Sequence, residues 1–224
     1  MEILTIGRSL LDLFFPKRCL NCDTVISLDN PLCVICASKL PYTHWQFNQE
    51  NLSFEKLSPL CPIVSAYSLL YFQKSNVTQS LLHHLKYHQH QEIGVLLAEK
   101  VLSILDLSSY DGVIPVPIHP KKLKKRGYNQ VHSFAKTLAD RSGILLIEDY
   151  LIRVQNNTSQ VFKGRKQRLN SIQNAFSLRH EKIAGHWILV DDVLTTGATL
   201  STCVNLLAEK NDAKISVLTM ACGV

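Results

Sequence analysis

The chain has 224 residues, 46% hydrophobic and 19% charged, with nine glycines and eight prolines, a composition that excludes collagen-like, low-complexity and disordered chains. Its length suits one ordinary domain with a small addition rather than two full domains. The net charge of +6, concentrated in basic clusters, predicts an anionic partner, and no apolar run reaches the roughly 18 residues that could cross a bilayer.

The N-terminal residues predict an amphipathic helix. Apolar residues recur at helical spacing between Ile3 and Phe14, and Pro16 ends the pattern. Arg8 and Asp12 interrupt the apolar residues and no small-residue cleavage site follows them, so a secretory signal peptide is not expected. We expect this helix to pack on its own domain.

The cysteine spacing predicts a metal site. Four of the seven cysteines form two CxxC pairs separated by ten residues: Cys19, Cys22, Cys33 and Cys36. Each CxxC turn can direct two thiolates at one ion, so together they predict the closed tetrahedral site of a structural Zn²⁺. A redox dithiol is the alternative, but neither pair is expected to begin a helix after a hydrophobic strand, as a thioredoxin-like site requires. The remaining cysteines are expected to be free and mostly buried, which fits a cytoplasmic protein: Cys61, Cys203 and Cys222.

The rest of the chain predicts an α/β fold. Residues 41–60 are polar and without clear period, and they indicate a boundary between a module of residues 1–60 and a domain of residues 61–224. Strands are predicted at residues 63–72, 113–117, 144–147, 150–154, 187–190 and 215–220, and helices at 81–104, with an interruption near 88–91, at 128–138 and at 200–207. Strands that alternate with helices predict a parallel sheet covered on both faces.

The stretch of residues 187–200 carries the most specific chemical signal. A hydrophobic strand leads into Asp191 and Asp192, then into the Thr- and Gly-rich turn of residues 195–199, then into a helix. Amides at a helix N-terminus bind phosphate, and Gly197 lets the backbone approach it closely. Carboxylates at the carboxyl end of a parallel strand accept hydrogen bonds from sugar hydroxyls or hold Mg²⁺. The pattern therefore favours a ribose 5-phosphate ligand. The alternative is a purely structural role, in which the turn only caps a helix that follows an acidic strand end. Walker and GxGxxG motifs are absent from the sequence.

Four histidines precede the middle of the chain without making a recognisable motif. His84 and His88 stand one helical turn apart, close to His83 and His90. No aspartate or cysteine at helical spacing completes a metal shell. The sequence alone therefore favours a partly exposed helix end over a metal site.

The stretch of residues 187–200 resembles the signature with which type I phosphoribosyltransferases bind phosphoribosyl diphosphate (PRPP), and the wider chain resembles the ComF family of amidophosphoribosyltransferase-like competence proteins. Besides the two CxxC pairs, the resemblance covers Leu85-Lys86-Tyr87, Ile114-Pro115-Val116-Pro117, Arg126-Gly127-Tyr128-Asn129-Gln130, Arg153 with Thr158 and Gln160, Arg168 with Asn170, Ala175-Phe176, and Val190 to Thr199. It implies a type I phosphoribosyltransferase-like parallel sheet flanked by helices, with a small N-terminal zinc-ribbon-like module.

The same resemblance implies roles for individual residues. Asp191 and Asp192 would hold the ribose hydroxyls. The residues implied to bind the rest of PRPP are Val193, Thr195, Thr196, Gly197, Ala198 and Thr199 in the turn, Pro117, Ile118 and His119 after an earlier strand, and the cations Lys86 and Arg126. The acid-free residues 155–170 match in position the mobile loop that closes over PRPP, and Arg165 and Arg168 are its candidate catalytic cations.

The implied reaction transfers ribose 5-phosphate from PRPP to a nitrogen acceptor and releases pyrophosphate, with Mg²⁺ and basic groups stabilising the leaving diphosphate. The acceptor is not identified. The alternative is a non-catalytic competence factor that binds single-stranded DNA through its basic segments and zinc module and senses PRPP; other competence proteins are then further partners. Single-strand binders use exposed aromatics, and residues 155–170 offer only Phe162, which favours the transferase. A purely structural zinc-bearing interaction protein is a third possibility.

Overall fold

The computed structural model describes residues 16–26, 30–154, 175–179 and 182–224. Two predictions concern residues outside this part of the chain: the N-terminal helix, and Arg165 and Arg168 with their acid-free segment. No helix among the described residues combines the length and the apolar character that crossing a bilayer requires.

The described residues form an alternating series of helices and strands. The helices are α1 (Val34–Ser38), α2 (Leu52–Leu57), α3 (Val77–Tyr87), α4 (Glu92–Leu102), α5 (Pro120–Arg126), α6 (His132–Ser142) and α7 (Ala198–Lys210). The strands are β1 (Ala66–Phe72), β2 (Gly112–Pro115), β3 (Leu145–Leu146), β4 (Leu151–Arg153), β5 (Phe176–Leu178), β6 (Ala184–Leu194) and β7 (Asp212–Gly223). The predicted interruption near residue 88 separates α3 from α4.

Five strands form one parallel sheet in the order β1-β7-β6-β2-β3, and β4 pairs with β5 as a separate antiparallel ribbon. The connection from β2 leads outward to β3, whereas the connection from β6 leads outward to β7 in the opposite direction. The strand order therefore reverses between β2 and β6. At such a point the following loops diverge and leave a crevice at the carboxyl ends of the strands.

Helices cover both faces of the sheet, as predicted. On one face, residues such as Leu81, Leu97 and Phe134 bring α3, α4 and α6 into a single apolar cluster with the sheet. On the other face, Leu57 of α2 and Val204 of α7 belong to a second cluster. Burial on both faces explains why the central strands are continuous hydrophobic runs rather than alternating patterns. The predicted fold class is confirmed.

Residues 41–60 are more ordered than their polar sequence indicates. Tyr42 and Asn48 form isolated antiparallel bridges with β1, and the Thr43 hydroxyl donates a hydrogen bond of 2.7 Å to the Ser68 carbonyl. The side chain of Asn51 accepts a hydrogen bond from the Phe54 amide and so caps α2. A helix of six residues is too short to show an apolar period. The boundary at residue 60 stays a prediction.

Candidate functional site

A cavity of about 220 Å³ lies at the reversal of the strand order. The loop after β2 and the end of β6 form its floor, and α3, α5 and the start of α7 form its walls. Its lining is Lys86, Tyr87, Val116, Pro117, Ile118, His119, Lys122, Arg126, Gln130, Arg153, Asp191, Asp192 and Thr199. Eight of the residues predicted to bind PRPP thus lie around one space, although they come from four separate segments of the chain.

The acidic pair at the end of β6 is held by both ionic and backbone contacts. The Lys86 ammonium lies 2.8 Å from Asp192 Oδ2, and the Gln130 side-chain amide donates to the same oxygen at 3.2 Å. Asp191 Oδ1 accepts a hydrogen bond of 2.8 Å from the amide of Asp192, and Asp192 Oδ1 accepts one of 2.8 Å from the amide of Val193. These contacts fix the direction in which both carboxylates face.

The two carboxyl groups differ in their electrostatic environment. Burial raises the pKa of Asp191 well above its usual value, and the neighbouring Asp192 carboxylate raises it further, while Lys86 acts in the opposite direction. A raised pKa in the folded chain means that folding favours the protonated form. The stability contributed by Asp191 is therefore full below pH 3.8, its usual pKa, and is lost as the pH rises through the raised value.

We expect Asp191→Asn to make the chain more stable than the wild type at neutral pH. Asparagine keeps the oxygen that accepts from the Asp192 amide but carries no buried charge, so the gain in melting temperature should grow as the pH rises above 3.8, the usual pKa of the carboxyl group. At this chain length each 1 kcal/mol shifts the melting temperature by about 2–4 °C. In Asp106 a backbone hydrogen bond from Ser108 lowers the pKa, so Asp106→Asn should shift stability in the opposite direction. Equal pH profiles for Asp191→Asn and wild type contradict the expectation.

The turn before α7 presents unpaired backbone amides. Gly197 caps the helix in a left-handed conformation, φ 79°, and no side chain caps it. Within the described residues, the amides of Gly197, Ala198 and Thr199 have no hydrogen-bond acceptor. They border a small cavity of about 50 Å³, lined by Asp191, Val193, Leu194, Thr195, Thr196, Gly197, Ala198, Thr199 and Leu200. Free amides and the positive end of the helix dipole suit a phosphate group.

A distant segment supports this turn from behind. Lys56 of α2 donates hydrogen bonds to the carbonyl of Gly223 at 2.6 Å and to that of Thr195 at 3.4 Å. A Cβ atom at Gly197 would lie 3.0 Å from Leu57 and 3.2 Å from Leu60. Sequence analysis missed Lys56 because nothing in a polar stretch 139 residues away indicates contact with the turn.

We expect Gly197→Ala to destabilise the chain more than Gly143→Ala does. Both glycines have positive φ, 79° and 68°, so both substitutions carry similar backbone strain of about 1 kcal/mol. Only at Gly197 does the added methyl group meet neighbouring side chains, because nothing lies within 4 Å of a Cβ at Gly143. Urea unfolding of both variants measures the difference, and equal destabilisation contradicts it.

The basic wall of the cavity comes from α5. The His119 side chain caps this helix by accepting a hydrogen bond of 3.1 Å from the Lys121 amide. Loss of hydration, followed by the charges of Arg153 and Lys121, lowers the pKa of His119, which keeps this ring nitrogen available as an acceptor. The family resemblance implied a cationic role for Arg126, but no pattern predicted the short helix that brings Lys122 and Arg126 to the cavity.

Gln130 connects the basic wall to the acidic pair. Its side-chain oxygen accepts a hydrogen bond of 2.7 Å from the Arg126 guanidinium, and its amide donates to Asp192. The Arg126 guanidinium also lies over the Tyr87 ring, 4.9 Å from its centroid. Gln130, Lys122 and Tyr87 were not among the predicted site residues. The Arg-Gly-Tyr-Asn-Gln segment marked Gln130 as part of the family resemblance, but no pattern indicated its partners.

A second, more apolar cavity of about 430 Å³ adjoins the first and shares Pro117, Ile118 and Arg153 with it. Leu123 and Tyr128 contribute much of its apolar wall. A cavity with apolar walls and few polar groups suits a small organic molecule.

The four predicted zinc ligands form a separate cluster. The sulfur atoms of Cys19, Cys22, Cys33 and Cys36 all lie within 4.8 Å of one another, and those of Cys22 and Cys33 are 3.7 Å apart. Zn–S bonds of about 2.3 Å in a tetrahedron place sulfur atoms about 3.8 Å apart, so the donor set fits Zn²⁺. The Asn21 side-chain amide donates to Cys36 Sγ at 3.3 Å, and a hydrogen bond with the Thr24 hydroxyl is the main cause that lowers the pKa of Cys22 to about 6. Both contacts favour thiolates, the form that binds metal, although burial outweighs the Asn21 contact and raises the pKa of Cys36 to about 12.

The expectation that neither CxxC pair begins a helix after a hydrophobic strand agrees with the described residues, although one pair does begin a helix. Cys33 caps α1, so the second CxxC pair does begin a short helix. Among the described residues before it, Arg18 and Val25 form an isolated bridge rather than a hydrophobic strand. The arrangement still differs from a thioredoxin-like site. Cys61, Cys203 and Cys222 are free and buried, as expected.

Several known proteins are similar to parts of this chain. Residues 10–46 match the family described as double zinc ribbon domain. DNA utilization protein YhgH of Salmonella typhimurium is 28% identical over 144 residues, which are 61% of this chain and 63% of that protein. Competence protein ComFC of Bacillus subtilis is 36% identical over 102 residues, 45% of this chain and 40% of that one. Orotate phosphoribosyltransferase from Aeropyrum pernix superposes with a TM-score of 0.36 at 15% identity, covering 69% of this chain and 80% of that chain.

The chain thus spans 63% of the length of its Salmonella relative and less of ComFC. The two relatives and the zinc-ribbon segment agree with the family resemblance seen in the sequence, and the parallel sheet agrees with the fold that the resemblance implies. The chain has homologues named competence protein F, competence protein ComFC and DNA utilization protein YhgH, and it combines a parallel sheet flanked by helices with an N-terminal zinc-ribbon segment.

Proposed function

We propose that the chain binds PRPP with Mg²⁺ in the crevice between β2 and β6 and transfers its ribose 5-phosphate to a nitrogen acceptor. The supporting observation is that an acidic pair, a turn with free amides and a basic wall line two cavities that share Asp191 and Thr199 at the reversal of the strand order. Each group suits a different part of PRPP, and their order along the crevice matches the order of phosphate, sugar and diphosphate in the ligand.

The substrate would lie across the crevice in one orientation. The 5-phosphate binds the amides of residues 197–199, and the ribose hydroxyls bind Asp191 and Asp192. The diphosphate then lies against the loop of residues 116–119, near Lys122 and Arg126. Lys86, which pairs with Asp192 in the structure, is close enough to the basic wall to serve as a further counter-charge.

In this reaction the residues of the crevice stabilise charge and do not transfer protons. The bond between ribose C1 and the diphosphate oxygen breaks, pyrophosphate leaves with the electron pair, a C1–N bond forms, and the acceptor nitrogen loses its proton to solvent. Mg²⁺, for which the Asp191–Asp192 pair provides the oxygen ligands it prefers, supplies counter-charge for the diphosphate. Lys122 and Arg126 stabilise the charge that develops on the leaving group.

The adjoining apolar cavity is the place we assign to the acceptor, because it opens on the same loop of residues 117–118.

Arg165 and Arg168 remain the proposed cations of a closing loop. The free thiols favour a reducing, cytoplasmic compartment.

The test is a screen of nitrogenous acceptors for pyrophosphate release from PRPP by the full chain with Mg²⁺. We expect at least one acceptor to give release that the Asp191→Asn, Asp192→Asn double variant lacks. Pyrophosphate release that the double variant retains contradicts the assignment of this crevice. If the chain binds PRPP but releases pyrophosphate with none of the acceptors, the transferase function is contradicted and a PRPP-sensing function remains.

Binding of single-stranded DNA is a second candidate, favoured by one observation. Tyr87 is 56% exposed beside α5, which carries four lysines and buries no residue. An exposed aromatic ring beside a basic surface suits base stacking with phosphate contacts. If this surface binds DNA, affinity falls steeply with salt, Tyr87→Ala weakens it, and the double aspartate variant keeps it. An affinity for single-stranded DNA that changes neither with salt concentration nor with Tyr87→Ala excludes this candidate.

A further inference from the structure

Four histidine rings gather at the carboxyl end of α3: those of His83, His84, His88 and His90. The ring centroid of His84 lies 4.9 Å from that of His88 and 5.4 Å from that of His90. Gln89 has φ 60°, and this left-handed residue turns the chain so that His90 returns toward the helix. The sequence spacing did not indicate this return, because it depends on one residue outside the helical conformation.

Two of these rings already have the outer contacts that metal-binding histidines use. His90 Nδ1 lies 2.5 Å from Glu92 Oε1, which leaves Nε2 free. His84 Nδ1 is buried and has no hydrogen-bond partner among the described residues. The backbone of Leu20 lies within hydrogen-bonding reach of the same ring, and that contact belongs to Nε2. Metal-bound histidines typically donate their second ring nitrogen to a carboxylate or a backbone carbonyl.

We propose that His84, His88 and His90 bind one divalent ion of the zinc type, at a site separate from the cysteine cluster. With Zn–N bonds of about 2.0–2.1 Å, two ligating imidazoles in a tetrahedral shell have centroids about 5.2 Å apart. The observed 4.9 and 5.4 Å agree with this spacing. An i, i+4 histidine pair on a helix, here His84 and His88, is a common basis for such sites.

Closure of the site needs only side-chain rotation. Among the described residues, the four cysteines are the set whose ligand atoms already converge within 4.8 Å. His88 is exposed and His90 is half-buried, so both rings can turn toward the orphaned His84 nitrogen. A bound ion would join the end of α3 to the start of α4 at Glu92.

Zinc content of the full-length chain tests the proposal. The chain is loaded with Zn²⁺, passed through gel filtration in zinc-free buffer and analysed for metal. We expect one zinc more in the wild type than in His88→Ala or His90→Ala. The thiolate-to-cobalt absorption band of the cobalt-substituted protein should be the same in all three, which shows that the cysteine site is folded and filled.

Two variants sharpen the assignment. Glu92→Gln removes the charge that orients His90 and should weaken the second site about tenfold. His83→Ala is the matched control, because the His83 ring is exposed and its centroid lies 6.2 Å from that of His84, farther than the rings of His88 and His90. Equal zinc in wild type and both ligand variants overturns the proposal, and so does a loss in His83→Ala as large as in His88→Ala.

Discussion

The Asp191→Asn, Asp192→Asn double variant should bind PRPP at least about 100-fold more weakly than the wild type in the presence of Mg²⁺. A hydrogen bond to a charged group contributes about 1.5–3 kcal/mol, and two carboxylates are lost, so about 3–6 kcal/mol of binding free energy is at stake. Each 1.4 kcal/mol corresponds to a tenfold change. Isothermal titration calorimetry measures the loss directly.

The double variant is informative because it should remain folded. Removing the buried charge of Asp191 favours the folded chain at neutral pH, whereas removing the Asp192 carboxylate takes away the ionic partner of Lys86. Circular dichroism of the double variant therefore accompanies the titration and shows whether it is folded. Asp212→Asn is the matched control, since Asp212 is exposed and begins the neighbouring strand β7, at the end of the parallel strands opposite to the crevice. Unchanged PRPP affinity in the double variant, or an equal loss in the control, contradicts the assignment of the acidic pair.

Cys36→Ser should release zinc from the cysteine site and unfold the module around it. Structural zinc binding in zinc-finger peptides contributes about 10–16 kcal/mol at neutral pH, which is large compared with the stability of a small domain. Around the cysteines, between residues 16 and 40, the regular structure of the described chain consists of α1 and one bridged hairpin. This part of the module therefore depends on the metal. Limited proteolysis should show new cleavage between residues 16 and 40, together with the loss of one zinc.

Cys61→Ser provides the comparison for this variant. Cys61 is buried but lies in the apolar cluster with α2 and α7, outside the metal ligands. The substitution should lower stability slightly and leave the zinc content unchanged. Retention of zinc by Cys36→Ser, or an equal loss in both variants, contradicts a four-cysteine site.

Much of the fold follows from local patterns. Hydrophobic runs of four to six residues indicated the central strands because both faces of a parallel sheet are buried. The interruption between α3 and α4 followed from the polar residues 88–91. By contrast, α2 and α5 were missed: one has six residues and the other has no buried residue, so neither shows an apolar period.

The candidate site was predictable as a set of residue types but not as a set of contacts. The turn of residues 195–199 could be recognised because its strand, acids, glycine and helix are contiguous. Asp192 contacts Lys86 of α3 and Gln130, and both are far from it in the sequence. Such contacts form only when the fold brings the end of β6 beside these two segments, which no local spacing encodes.

We infer that the turn before α7 binds the 5-phosphate of PRPP. Calorimetric titration of the full chain with PRPP and Mg²⁺ tests this claim. We predict one saturable site per chain, for which ribose 5-phosphate competes and unphosphorylated ribose does not. Absence of saturable heat, or equal competition by ribose and ribose 5-phosphate, contradicts the claim.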